Sequence, residues 1–214
     1  MDHSSKGLFD FIFRDSSNKI FIWGSLILIV IQLLIFKYCY PYASFINGDS
    51  YTYLYSAFNN FNIYYHPIGY PKFLRLVSVF SQSDTALIIF QYLSIQISGI
   101  AFIFTLFYFF NPSIITKIIL ICFIVLNPIF LYMGSMVSSD ALFLTLSLIW
   151  FNLLVWAIFR PNYKNTIFLS LILFLAFTVR YNALYYPLIN FIGLLLIEKN
   201  INLYFLKVQL LDFC

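Results

Sequence analysis

The stretch FINGDSYTYLYSAF, Phe45 to Phe58, sets the carboxylate of Asp49 directly after a glycine and ahead of tyrosines at alternate positions, Tyr51, Tyr53 and Tyr55. Only 9% of the 214 residues are charged, so an acid beside a long apolar run calls for a physical reason. A carboxylate there can take a proton as a general base. It can also cap the helix that follows, a role worth about 0.5–2 kcal/mol. The two roles are compatible, because a capping aspartate keeps a free oxygen. A second acid, Asp140 in MGSMVSSDALFLTL, opens another apolar run. With Ser138 and Ser139 it forms an N-cap cluster. Against that reading, an acid reaching the hydrocarbon costs roughly 2.5–3.5 kcal/mol and tends to face a cavity or a partner. Among the cations, Arg180 interrupts an apolar run, and Lys72 and Arg75 stand one helical turn apart. Each can snorkel to lipid headgroups or grip an anionic group; for Arg75 the headgroup is the simpler reading. His66 has no second histidine nearby, the other being His3, so a hydrogen-bonded turn histidine is expected rather than a histidine metal site. Asp84, directly before an apolar run, reads as a helix cap.

The elements that must position these groups are membrane spans. Hydrophobic residues make up 62% of the chain and aromatics 22%, with a mean hydropathy of +0.90, far from the balance of a water-soluble domain. The net charge of +4 is too small to suggest nucleic acid. Cys39, Cys122 and Cys214 have neither metal-ligand spacing nor a disulfide-framework pattern. The hydropathy predicts an all-α, polytopic bundle of about six spans: 20–36, 85–110, 114–131, 141–159, 166–179 and 183–197. The first lacks a cleavage site and reads as an uncleaved span. The organisation expected is therefore a cytoplasmic segment 1–19, a membrane module 20–197 with an outer loop 37–84, and a cytoplasmic end 198–214. No internal repeat is visible.

The cations give the orientation. With the N-terminus in the cytoplasm, Lys6, Arg14, Lys19, Lys117, Arg160, Lys164 and Lys199 fall inside, while Lys37, Lys72, Arg75 and Arg180 fall outside. That arrangement puts Asp49, Asp84 and Asp140 on the outer side together with 13 of the 17 tyrosines. The outer face is thus expected to be a built surface of acids, phenols and a few cations. In its long first loop, SYTYLYSAFNNF is expected to lie along the interface as a short helix. HPIGYPKFLRLVSVF reads as a turn stiffened by two prolines and leading into a second interfacial helix.

Taken in order, an acid soon after the first span, the HPIGYPKFL turn and SSDALF opening the fourth span resemble the GT-C superfamily of membrane glycosyltransferases. HPIGYPK is similar to a His-Pro-Pro-Leu-Gly-Lys segment of protein O-mannosyltransferases and to its counterpart in aminoarabinose transferases. NPIFLYMGSMVSSDALF and FTVRYNALYYPL share the texture of the fourth-span start and a following outer turn, so the resemblance runs from about residue 20 to 197. It implies a polyprenyl-phosphate sugar as donor and a lipid, glycan or protein acceptor on the outer side. It further implies inversion at the anomeric carbon, with Asp49 as general base. Asp140, Lys72, Arg180, His66, Tyr51 and Tyr53 are the substrate-binding residues on this reading, with Lys72 or Arg180 facing the leaving phosphate. The location implied is a bacterial inner membrane, with the site on its outer side.

The chain also departs from that pattern. Ser50, not a second acid, follows Asp49, and no Asp or Glu recurs before Asp84. A divalent metal held by an acid pair is therefore unsupported, and the cofactor is left open. Ile68 stands where the related turn has its second proline. Relatives carry more spans, so LYFLKVQLLDFC at the end reads as the edge of an N-terminal part. The rival expectation is a non-catalytic transporter or flippase for a lipid-linked sugar, or an assembly subunit.

Overall fold

The computed structural model of the chain describes residues 7–46 and 48–193. Lys6, Glu198, Lys199 and the expected end 198–214 lie outside the described residues, as does the last part of the sixth expected span.

The described chain is all-helical, with one isolated parallel bridge between Ser44 and Met136. A short helix α1 (Leu8–Arg14) turns at Asp15, whose carboxylate caps α2 (Ser16–Cys39). Two short helices follow, α3 (Asp49–Phe58) and α4 (Gly69–Phe80), then the long α5 (Asp84–Phe110). Next come α6 (Ile114–Val125), α7 (Pro128–Ser135), α8 (Ser139–Phe159) and α9 (Tyr163–Val179). A 3₁₀ turn at Tyr181–Tyr185 leads into a helical stretch over 186–193.

Four segments are long and apolar enough to cross a membrane: Ser16–Cys39, Asp84–Phe110, Ile114–Ser135 and Ser139–Phe159. This is the make-up of an integral membrane protein. α9 is apolar but has only 17 residues. The described residues thus carry four full-length candidates where the hydropathy suggested about six.

α5 is the centre of the bundle. It packs on α8, α6 and α7, and its residues Ile95, Gln96, Phe104 and Phe107 are almost fully enclosed. In lipid the apolar effect does not drive helices together, so close approach depends on small residues. Gly134 of α7 and Gly99 of α5 supply it. A Cβ at Gly134 would stand 3.0 Å from the Tyr92 backbone, and one at Gly99 2.7 Å from the Ile124 side chain.

The third candidate span is broken, not continuous. Proline cannot donate to the preceding turn, so α6 ends at Val125 and α7 restarts with Pro128 in its first turn and Asn127 capping Ile129 N. A break inside a bilayer needs new partners for the freed carbonyls. α5 supplies one at the break, where Gln96 donates to the Val125 carbonyl at 3.4 Å; Gln91, further along α5, donates to the Gly134 and Met136 carbonyls at the other end of α7, at 2.9 Å each.

Candidate functional site

Asp49, His66, Tyr53, Asp140 and Arg180 come together at the end of the bundle carrying α3 and α4, while the Asp10–Arg14 ion pair stands apart on α1. The local sequence explains how. Gly48 has φ of 79°, a left-handed conformation that a glycine adopts without a steric penalty. This residue turns the chain into α3, so that Asp49 is the first helical residue. The sequence left open whether Asp49 caps that helix: Gly48 occupies the cap position, and no side chain makes a capping bond there. The Asp49 carboxylate, 56% exposed, instead stands at the positive end of the helix with His66 as its neighbour. His66 Nε2 lies 3.5 Å from Asp49 Oδ1.

Ser50 fastens the start of α3. Its hydroxyl donates to the Val137 carbonyl at 2.7 Å and accepts from Ile46 N at 2.8 Å. One turn further on, Tyr53 is buried and shares a 3.0 Å hydrogen bond with the Ser139 hydroxyl at the start of α8. The Tyr53 ring also lies 4.8 Å from the His66 ring and meets Tyr70 edge to face at 4.9 Å. Tyr70, on α4, is fully enclosed and donates to Gln91 Oε1 at 2.8 Å. That glutamine is the same one that holds the end of α7. Burial pushes the Tyr53 hydroxyl above the usual phenol range, against the Ser139 hydrogen bond and the Arg180 charge, which pull it down. The nearby Asp49 and Asp140 charges push it further up. Burial likewise raises Tyr70. Both phenols are neutral hydrogen-bonding groups at ordinary pH.

Asp140 lies on the other side of Tyr53. Ser138 is the cap of α8, accepting from Asp140 N, and its hydroxyl donates to Asp140 Oδ2 at 3.0 Å. Arg180, where α9 ends, pairs through Nη1 with Asp140 Oδ1. Asp140 and Arg180 are half-buried, 25% and 38% exposed. The guanidinium therefore keeps donors available beyond the one engaged.

The other expected binders are placed apart from this cluster. Lys72 donates to Asn60 Oδ1 at 2.7 Å and Asn62 Oδ1 at 2.9 Å, pinning the loop that carries His66. Arg75 reaches toward the Ala57 carbonyl, so the two cations do not converge on one anion. Tyr51 points outward and stacks on Tyr55 at 5.9 Å. Asp84 is the first residue of α5 rather than its cap; its carboxylate accepts from Ala43 N at 3.1 Å and Thr85 N at 2.7 Å.

Two hollows flank the site. A cleft of about 270 Å³ lies between the loop and the end of α9, lined by Asn62, Tyr64, His66, Phe177, Thr178 and Tyr181 among others. A larger groove of about 600 Å³, walled by Leu54, Leu74, Leu87 and Val137, holds Arg75 and Asp84 but neither Asp49 nor His66. Of the cluster only His66 lines the smaller one; Asp49, Tyr53, Asp140 and Arg180 line neither. Among the described residues no group of three or more histidine, cysteine or acidic side chains could hold a metal ion.

Sequence reasoning missed Tyr70, Gln91 and Ser139 as members of the cluster. Gln91 was detectable in principle, as an amide in an apolar span that must find a partner there. Compared with known proteins, the chain matches no family model, no curated protein and no solved structure.

Proposed function

We propose that this chain is, or is part of, a glycosyltransferase that moves a sugar from a polyprenyl-phosphate donor to an acceptor on the outer face of the membrane. The observation that carries the reading is the Asp49 carboxylate. It is exposed and held at the start of a short helix beside His66, which in turn lines a cleft with phenol and aromatic walls.

The chemistry asks for three things. A base must take the proton of an acceptor hydroxyl as that oxygen attacks the anomeric carbon. Asp49 has an accessible oxygen for it. A cation must meet the phosphate as the C1–O bond breaks and the electron pair leaves with the polyprenyl phosphate. Arg180 suits this better than Lys72, since its fork has unused donors whereas Lys72 is bound to two amide oxygens. Finally the sugar needs flat apolar faces with hydroxyl partners, which Tyr64, Phe177 and Tyr181 offer. One base and one displacement give inversion at C1. In this reading α3 and α4 lie along the outer interface, the N-terminus is cytoplasmic, and the donor arrives from the lipid.

The test is Asp49→Asn in native membranes. The enzyme reading expects transfer to fall by about 10²-fold or more, the usual scale for losing a general base, with protein level and donor binding unchanged. Undiminished sugar transfer in Asp49→Asn defeats it. Movement of the lipid-linked sugar across the bilayer with no bond broken supports the transporter instead.

A further inference from the structure

We propose that the larger groove is a binding site for one anionic phospholipid, with an acyl chain between α3, α4 and α5 and the headgroup phosphate on Arg75. The inference goes beyond the reading of Asp49 and does not depend on it.

The groove has the two-part make-up of a site for an amphiphile. Its walls are apolar: Leu54 and Phe58 from α3, Leu74 and Val77 from α4, Leu87 from α5, and Val137 from the link before α8. Its volume of about 600 Å³ falls within the range of small-ligand sites, about 300–1,000 Å³. On the polar side, the link between α4 and α5 contributes Ser81, Gln82 and Ser83. Asp84 and Leu87 belong to the first turn of α5, so the groove opens where a candidate span begins. That is the depth at which headgroups give way to hydrocarbon.

The charges suit an anion. Arg75 is exposed, and its one hydrogen bond among the described residues, from Nη1 to the Ala57 carbonyl, is 3.5 Å long. A guanidinium carries five donors, and its fork matches a phosphate two-pronged. The other charge in the groove, Asp84, is already met: its carboxylate accepts from Ala43 N and Thr85 N, and the Lys37 charge acts on it. An open cation thus stands beside an acid that is taken up by the protein.

Position separates this lipid from a sugar donor. Leu54 to Phe58 lie roughly 7–14 Å along α3 from Asp49, by helix rise. Neither Asp49 nor His66 lines the groove, and it shares no residue with the cleft that His66 lines. A lipid whose phosphate sits on Arg75 is therefore retained rather than consumed. Its chain fills the space that the two short helices leave against α5, and so braces the end of the bundle that carries Asp49.

The test uses the full chain, purified in detergent and stripped of lipid, with binding read by native mass spectrometry. The probe is dioleoyl phosphatidylglycerol. Dioleoyl phosphatidylcholine has the same chains with its phosphate offset by choline. Inorganic phosphate and decaprenyl phosphate serve as competitors. The proposal expects one phosphatidylglycerol per chain, held at least about tenfold more tightly than phosphatidylcholine, the scale of one charged hydrogen bond. Arg75→Gln should erase that preference and Arg75→Lys should keep part of it. Lys164→Gln, exposed at the start of α9, should keep all of it. Leu54→Trp fills the groove from a partly exposed position and should weaken both lipids about tenfold, with helix content unchanged by circular dichroism. Equal affinity of the wild type for the two lipids, a full preference in Arg75→Gln, or unweakened binding in Leu54→Trp overturns the site. Inorganic phosphate competing as well as the lipid reduces it to an anion contact, and decaprenyl phosphate binding more tightly gives the groove to the donor; either result overturns the phospholipid. The readout is binding, not transfer, so its outcome is distinct from that of Asp49→Asn.

Discussion

Tyr53 ties three parts of the site together: Ser139 through its hydroxyl, His66 and Tyr70 through its ring. Its chemistry gives a pH prediction. Burial raises the folded-state titration of Tyr53 and Tyr70, so the folded chain holds these protons more tightly than the unfolded one. Below the ordinary phenol value of about 10 both states are neutral and the contribution to stability is fully present. As the pH rises past that value the unfolded chain ionises first, and stability is lost. In an alkaline absorbance titration in detergent, these two phenols should ionise late, together with global unfolding. Tyr53→Phe and Tyr70→Phe should each remove part of that late step. An unchanged late step in both variants would contradict the burial argument. At this scale the sequence singled out particular polar residues and was uninformative about their partners. Asp49, His66, Tyr53, Asp140 and Arg180 could be named because each is a polar exception in an apolar chain. That Arg180 meets Asp140, forty residues away, is a property of how α8 and α9 pack, and no local pattern encodes it.

Among the elements, the short α4 depends on the closest backbone approach in the site. A Cβ at Gly69 would stand 2.7 Å from the Thr178 carbonyl carbon and oxygen of α9. Backbone atoms cannot swing aside as a side-chain end can, so Gly69→Ala should lift α4 away from α9. Overpacking of this kind costs typically about 1–3 kcal/mol. A thermal unfolding scan of the purified variant is expected to show a lower midpoint, whereas Gly24→Ala, with nothing within 4 Å, should leave it unchanged. A Gly69→Ala midpoint equal to wild type would mean that the contact is slack. Element positions were mostly readable from hydropathy: the cores of α2, α5 and α8 fall where the apolar runs do. The break between α6 and α7 was not read, because a hydropathy window averages across Asn127 and Pro128. The Asn-Pro pair itself carried the signal.

For the molecule as a whole, the distribution of Lys and Arg makes a topological prediction. In a chain whose native cysteines are replaced by serine, Gln82→Cys lies in the exposed link between α4 and α5, and Lys164→Cys is exposed at the opposite end, at the start of α9. A membrane-impermeant thiol reagent applied to intact cells should label the first and spare the second. The reverse pattern would invert the orientation and move Asp49 to the cytoplasm.

The two glutamines of α5 also bear on how such a chain is made. Ile114–Ser135 leaves the ribosome as one apolar segment, yet its mature form contains a corner whose Val125 carbonyl is served by Gln96, while Gln91 holds the far end of α7. Those amides lie on the segment synthesised immediately before it. The corner can form only against a predecessor already in the bilayer, so α5 acts as a template for its successor. Biogenesis of this protein thereby acquires a direction: the segment that carries the amides is made before the one that leans on them.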